Sequence, residues 1–108
     1  MLNSTVFKYE IPGPKSSDGI TSVQLPEGSN VLYYGTQSPN PANPGDERIY
    51  LWAEVDPDGP LTRRALCVVP TGGRLPDMNH WKWVATVQFR HVNLVFHIYT
   101  LKGSYNAD

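Results

Sequence analysis

Apolar and polar residues alternate with a period of two along most of this sequence. Such alternation is typical of strands that bury one face, whereas an amphipathic helix repeats at a longer period. The clearest case is the run 47–55. Its two faces carry Ile49, Leu51, Ala53 and Val55 on one side and Tyr50, Trp52 and Glu54 on the other. Pro or Gly interrupts every window before a helix of about ten residues develops, so the pattern predicts little or no helix.

The runs between these interruptions define the predicted strands. They are 5–11, 20–25, 30–37, 47–55, 62–69, 81–90 and 93–101. Short strands at this spacing predict an all-β protein of about seven antiparallel strands, in a sandwich or a partly open barrel. We expect a single β domain over residues 1–102 and a flexible tail over 103–108.

The segments between the strands predict how the chain reverses. Turn residues at 26–29 predict a hairpin between the second and third strands, and those at 56–60 predict one between the fourth and fifth. The last two strands are expected to join tightly near residues 91–92. The loop 38–46 carries three prolines and predicts neither strand nor helix. Gly35 marks an expected β-bulge in the third strand.

Composition and charge exclude several classes of protein. The 108 residues include 9 basic and 10 acidic side chains, for a net charge of -1, which disfavours binding to duplex nucleic acid or to an anionic membrane. Cys67 is the single cysteine and lies in an apolar run, so we expect a small buried side chain and no disulfide within the chain. With no signal-peptide pattern and no long apolar stretch, we expect a cytoplasmic protein.

Side chains that support catalysis or metal binding are sparse. His80, His91 and His97 with Asp77 are the one candidate metal set, but no two of the histidines have the spacing that fixes ligands on one element. Cys67 in apolar surroundings disfavours a thiolate nucleophile. The sequence therefore predicts a protein that is not an enzyme and that holds no metal or cofactor.

One short segment is a candidate for anion binding. Gly72 and Gly73 let backbone N–H groups approach an anion closely, and Arg74 beside them can bind phosphate. The alternative is an ordinary linker between strands. Arg63 and Arg64 are neighbours on a predicted strand and point to opposite faces, so at most one of them joins any one site.

The sequence contains more aromatic residues than one core face of a small sandwich can bury. Trp81 and Trp83 share a face, and Trp52 lies opposite the apolar face of its own strand. Three alternative roles fit these rings: stacking on a nucleobase, anchoring a protein partner, or filling a second half of the core. Strand edges with few charges also favour pairing between chains, so we expect a homo-oligomer.

The order of several short motifs resembles that of a family of small proteins found largely in tailed phages and prophages. The motifs are FKYEIP at 7–12, VQLPEG at 23–28, LWAEVDP at 51–57, GGRLP at 72–76, VATVQF at 84–89 and LVFH at 94–97. The resemblance implies a phage accessory protein, a class that often counters host defence, and it brings no catalytic residues. The loop 37–46 is longer than the compact form expected of that family.

Together these observations favour a non-enzymatic protein that sequesters a nucleotide-like immune signal. In this interpretation Gly72, Gly73 and Arg74 hold phosphate, and Arg63 or Arg64 reaches in from a neighbouring strand. The stacking side chains are Trp52, Trp81 and Trp83. The alternative is an inhibitor of a host defence enzyme, or a structural phage module, that acts through an exposed aromatic face.

Overall fold

The computed structural model describes residues 4–103, which form strands and turns and contain no helix. The strands are β1 (Thr5–Glu10), β2 (Ile20–Pro26), β3 (Asn30–Gln37), β4 (Arg48–Val55), β5 (Leu61–Pro70), β6 (Trp81–Gln88) and β7 (Val95–Leu101). All seven predicted strands are present. The tail predicted for 103–108 lies outside the described residues, apart from Gly103.

The strands form two antiparallel sheets that face each other. One sheet has three strands in the order β1-β4-β3, and the other has four in the order β2-β5-β7-β6. The predicted all-β class is confirmed, as an open sandwich and not a closed barrel. In the part of the chain that the structure describes, no helix is long and apolar enough to cross a membrane.

The main core lies between the two sheets. It includes six hydrophobic side chains with no exposed area: Leu25, Leu51, Ala53, Val55, Leu66 and Ile98. The alternation predicted for β4 is confirmed, because Leu51, Ala53 and Val55 point inward. Tyr50, on the outward face, is nonetheless only 6% exposed. Lys8 covers it, with Nζ 4.7 Å from the centre of the Tyr50 ring.

Two predicted hairpins are wrong. β2 pairs with β5 and β3 pairs with β4, so the turns at 26–29 and 56–60 carry the chain from one sheet to the other. Both turns form locally as expected, with Ser29 N–H donating to Pro26 O and Gly59 N–H to Asp56 O. The turns also contact each other, since Glu27 N–H donates to Pro60 O at 2.7 Å. Turn chemistry fixes a chain reversal, but it does not determine whether the next strand joins the same sheet or the facing one. β6 and β7 pair directly, and Phe89 N–H donates to Leu94 O at 3.0 Å, so the chain reverses over residues 90–93, which include the predicted turn at 91–92.

A second apolar cluster lies on the outer face of the four-stranded sheet. Cys67, Val69, Trp81 and Tyr99 are all at most 8% exposed there. The expectation of a buried Cys67 is confirmed, and burial raises the pKa of its thiol, with the nearby charge of Asp18 adding to the rise. This cysteine is therefore a packing residue on a strand, with little tendency to form a thiolate.

The edges of the two sheets meet on one side of the sandwich. There β3 and β6 approach each other, and Thr36 Oγ1 lies 3.3 Å from Gln88 O. Each of these edge strands has a bulge, at Leu32 in β3 and at Val84 in β6. The bulge predicted at Gly35 is wrong, because Gly35 pairs regularly with Tyr50. Gly35 instead makes room for the Tyr33 ring, since a Cβ there would lie 2.7 Å from Tyr33 Cε2.

Candidate functional site

The two bulged edges border a groove, which we call the β3–β6 groove. It is open to solvent, has a volume of about 580 Å³ and lies beside Leu32, Tyr33, Trp83 and Val84. Ligand pockets commonly measure about 300–1,000 Å³. Bulges redirect side chains and backbone groups away from the regular sheet pattern, and they are frequent next to binding sites.

Arg64 lies in the wall of the β3–β6 groove and is only 6% exposed. The alternation of β5 points it inward, and its Nη2 donates to Ser29 O at 3.1 Å. Tyr34 also lines the groove. Burial raises the pKa of the Tyr34 phenol, and the positive charge of Arg64 offsets part of that rise. The groove therefore presents a cation beside a neutral phenol at neutral pH.

An adjoining groove continues along β3 and shares Tyr33, Tyr34 and Thr86 with the first. Its volume is about 510 Å³, and Trp52 and Arg90 also line it. Among residues 4–103, the side chains that line the two grooves include two arginines and neither Asp nor Glu. Each groove thus has one arginine in its lining, and the Glu47 carboxylate lies next to the adjoining groove, 3.1 Å from Thr36 Oγ1.

Trp83 forms one rim of the β3–β6 groove and is 56% exposed. Its indole Nε1–H donates to Thr86 Oγ1 at 3.0 Å. Thr86 Oγ1 lies 2.9 Å from His97 Nδ1, and His97 Nε2 lies 2.9 Å from Thr71 Oγ1. This hydrogen-bonded chain fixes the indole while leaving its face open, which is the arrangement that a stacking platform requires.

Aromatic rings also form the outer surface beside the adjoining groove. The Trp52 ring centre lies 5.6 Å from that of Tyr33 and 6.2 Å from that of Tyr50. Tyr33 is 63% exposed and borders both grooves. The register of β3 on β4 pairs Tyr33 with Trp52 and so places both on the outward face of the three-stranded sheet.

Glu47 fixes the segment that carries Arg90. Its carboxylate accepts hydrogen bonds from the backbone N–H groups of Arg90 and His91, at 2.7–2.8 Å, and from Thr36 Oγ1 at 3.1 Å. Desolvation alone would raise the pKa of Glu47, but these three donors outweigh it and lower the pKa below its ordinary value. The start of β4 is thereby joined to the connection between β6 and β7.

We expect the Glu47→Gln variant to have a lower Tm than the native protein at neutral pH. A carboxyl with a lowered pKa in the folded state stabilises that state above its unfolded pKa, and this stabilisation is lost as the pH falls through the folded pKa. The Tm difference should therefore shrink in acid, as measured by thermal unfolding from neutral pH to about pH 3. The exposed Glu54 supplies the control, because Glu54→Gln should change Tm little. A constant Tm difference across the pH range would contradict this role.

The predicted phosphate segment is a turn in the connection between β5 and β6. Gly73 N–H donates to Pro70 O at 2.8 Å, and Gly72 has a φ of 88°, which favours glycine. A Cβ at Gly73 would lie 2.9 Å from Pro70 O. These glycines are explained by the turn, and the Gly73 N–H is already used. Arg74 follows as an exposed residue that lines neither groove.

The other predicted site residues are distributed over the sandwich. Arg64 and Trp83 line the β3–β6 groove, and Trp52 lines the adjoining one. Trp81 is 8% exposed in the second apolar cluster, which leaves little of its ring for stacking. Arg63 is exposed opposite Gln24, outside both grooves. The structure thus brings together part of the predicted set and separates the rest.

Sequence reasoning missed Tyr33, Tyr34, Thr86, Arg90 and Glu47 as members of the site. The first four line the grooves, and Glu47 holds Arg90 in place. Only the abundance of aromatic residues in β3 indicated Tyr33 and Tyr34. The remaining three depend on the contact between β3 and β6, which no local pattern indicates.

The histidines and acidic residues form no metal site in the described part of the chain. No cluster of three or more His, Cys, Asp or Glu side chains there is arranged to hold an ion. Asp77 and His80 form an exposed pair, with Oδ2 2.9 Å from Nδ1. The hydrogen bonds from Asn79 N–H and His80 lower the pKa of Asp77.

Comparison with known proteins yields one match. No curated protein matches the chain. No solved structure matches it either. A family model described as a domain of unknown function, DUF7352, matches residues 2–107. Because the match spans nearly the whole chain, the protein belongs to the DUF7352 family.

Proposed function

We propose that this protein is a non-enzymatic binding protein that holds a nucleotide-like anion in the β3–β6 groove. The phosphate of the ligand approaches Arg64, and its base stacks on Trp83 or Tyr33. The family resemblance of the sequence motifs adds a biological role to this proposal, in which a phage-encoded protein sequesters an immune signal in the host cytoplasm.

The observation that carries the proposal is a buried arginine in an open groove with no acidic side chain in its lining. Charge-assisted hydrogen bonds strengthen at low dielectric, and Arg64 is largely buried although the groove itself is open, so a ligand reaches its guanidinium through a small exposed area. Arg90 in the adjoining groove adds a second cation, which suits a ligand with more than one anionic group.

The exposed aromatic side chains at the rim of the groove would bind the base of the ligand. Tyr33 and Trp83 both line this groove and are more than half exposed. Stacking of a nucleobase on an aromatic ring contributes about 1–3 kcal/mol and tolerates different bases. The proposed ligand class is therefore a small molecule with both a flat ring and a phosphate, and not a simple inorganic anion.

A second candidate function is docking of a host protein on the outer face of the three-stranded sheet. It rests on the adjacent rings of Tyr33 and Trp52, since aromatic residues are enriched at binding hot spots. In that case Trp52→Ala would abolish partner capture, while Arg64→Lys would leave it unchanged. We rank this candidate second because it gives no role to Arg64.

A thermal-shift screen tests the proposal, with mononucleotides, cyclic mononucleotides and cyclic dinucleotides as probes. A ligand at about 100 times its Kd stabilises the fold by about 2.7 kcal/mol, which raises Tm by about 10 °C or more for a domain of this size. We expect such a shift for at least one nucleotide, a smaller shift for adenosine, which lacks phosphate, and a smaller shift for ribose 5-phosphate, which lacks the base.

The Trp83→Ala variant is the matched control for the site, because the exposed indole is removed without opening the core. It should lose most of the nucleotide-induced shift and keep the Tm of the free protein nearly unchanged. Chromatography of the recovered ligand separates binding from turnover, and a converted nucleotide would contradict a non-enzymatic role. No shift with any probe would remove the support for nucleotide binding and favour capture of a protein partner.

A further inference from the structure

We propose that the β1 edge of the three-stranded sheet pairs antiparallel with the β1 edge of a second copy, about a twofold axis at Tyr9. The inference goes beyond the proposed function and does not depend on it. β1 and β3 lie at opposite edges of their sheet, so this dimer leaves both grooves of each copy accessible.

The four strand edges of the sandwich differ in their capacity to accept another strand. Bulges interrupt β3 and β6, and bulges hinder continuation of a sheet. β2 ends at Pro26, which has no N–H to donate. Within residues 4–103, β1 pairs only with β4, its register is unbroken, and it contains neither Pro nor Gly. β1 itself thus has neither a bulge nor a proline, and Pro12, which follows it and lacks an N–H, limits the hydrogen-bonded pairs to Lys8 and Glu10.

The hydrogen-bond phase of β1 shows which backbone groups face outward. Ile11 N–H donates to Ile49 O at 2.9 Å, so the odd-numbered residues of this strand use their backbone groups on β4. The N–H and C=O groups of Val6, Lys8 and Glu10 therefore point toward the open edge. An antiparallel partner strand must pair with these residues.

Charge selects one register among those that this phase allows. With the axis at Tyr9, Lys8 lies opposite Glu10 of the partner subunit, and Glu10 lies opposite Lys8 of the partner subunit. Within one chain Lys8 Nζ donates to Gln37 Oε1 at 3.0 Å and Glu10 pairs with Arg48 at 3.3 Å, so the dimer requires both side chains to turn toward the partner strand. Opposite charges at directly facing positions stabilise a strand pair, and like charges destabilise it. An axis at Lys8 would place two lysines face to face, and an axis at Phe7 would place Lys8 opposite an apolar valine.

Apolar contacts support the same register. Phe7 lies on the inward side, because it pairs with Ala53, yet it is 44% exposed. Pairing about Tyr9 places Phe7 opposite Ile11 of the partner subunit, which is 4% exposed in its own core, so the approach of the partner strand itself covers the Phe7 ring. The two facing pairs of Lys8 and Glu10 supply backbone hydrogen bonds in both directions, as a twofold interface requires.

A charge-exchange experiment tests this dimer, with molecular mass in solution measured by analytical ultracentrifugation. The native chain should reach twice its monomer mass. Lys8→Glu alone and Glu10→Lys alone should each weaken self-association about tenfold or more, because like charges then face each other. An equimolar mixture of the two variants should form a heterodimer, since both carboxylates of the first variant then face ammonium groups of the second. A native chain that stays monomeric at its highest soluble concentration, or a mixture that fails to associate, would overturn the proposal.

Cross-linking tests the register, in a Cys67→Ala background that removes the only native thiol. Tyr9→Cys should form an intersubunit disulfide on mild oxidation, because facing Cα atoms at such a position lie about 4.5 Å apart. Phe7→Cys is the matched control and should not cross-link, because its counterpart lies four residues along the strand, roughly 13 Å away. Cross-linking of Phe7→Cys in preference to Tyr9→Cys would overturn this register.

Discussion

Replacing Leu51 with alanine should lower the free energy of unfolding by about 2–5 kcal/mol. Leu51 has no exposed area, and it lies on the central strand of the three-stranded sheet, where it packs into the core between the sheets. The substitution removes buried apolar contacts and leaves a cavity that neighbouring strands fill only in part. For a domain of this size, the Tm should fall by roughly 10–25 °C in a thermal unfolding experiment.

Leu61→Ala is the control for this prediction, because Leu61 is 63% exposed at the start of β5. The same side-chain truncation there should change the free energy of unfolding by no more than about 0.5 kcal/mol. Equal losses for the two variants would contradict the assignment of the main core to the space between the sheets.

Replacing Arg64 with lysine should weaken nucleotide binding by about tenfold to a hundredfold. Lysine keeps the positive charge but loses the planar guanidinium, whose geometry matches phosphate with paired hydrogen bonds. Hydrogen bonds to charged groups contribute about 1.5–3 kcal/mol, which corresponds to this range of affinity. Isothermal titration calorimetry below the unfolding transition of both proteins measures the effect on affinity separately from any change in stability.

Arg74→Lys is the matched control, because Arg74 is exposed and lines neither groove. Its affinity should equal that of the native protein within a factor of about two. Loss of binding in Arg74→Lys with retention in Arg64→Lys would instead locate the phosphate at the turn containing Gly72 and Gly73, as the sequence alone predicted.

Periodicity predicts the strands well because each strand buries one face. β4 illustrates this, since Leu51, Ala53 and Val55 alternate with residues on the outward face and the strand forms where the pattern predicts it. The pairing of strands was less predictable. The turns at 26–29 and 56–60 reverse the chain as expected, yet each connects the two sheets, because burial of the inward faces requires a second layer that turn residues do not specify.

The candidate site was predictable only in part, for a related reason. Arg64 and Trp83 are 19 positions apart in sequence, and they line one groove because β3 and β6 meet at the edges of facing sheets. The Gly72–Gly73 pair had a local signature for anion binding, but the turn that these residues form uses the Gly73 N–H. The anion-binding role of this segment therefore stays a prediction, whereas the groove depends on contacts between distant segments.

Titration of the ¹⁵N-labelled protein with the most stabilising nucleotide of the screen, followed by NMR of the tryptophan indole N–H groups, tests the groove most directly. The chain has 3 tryptophans, which lie in the β3–β6 groove (Trp83), in the adjoining groove (Trp52) and in the second apolar cluster (Trp81). We predict that the Trp83 signal shifts most, that the Trp52 signal shifts less and that the Trp81 signal stays in place. A shift confined to Trp81, or no shift of Trp83 at saturating nucleotide, would contradict the proposed site.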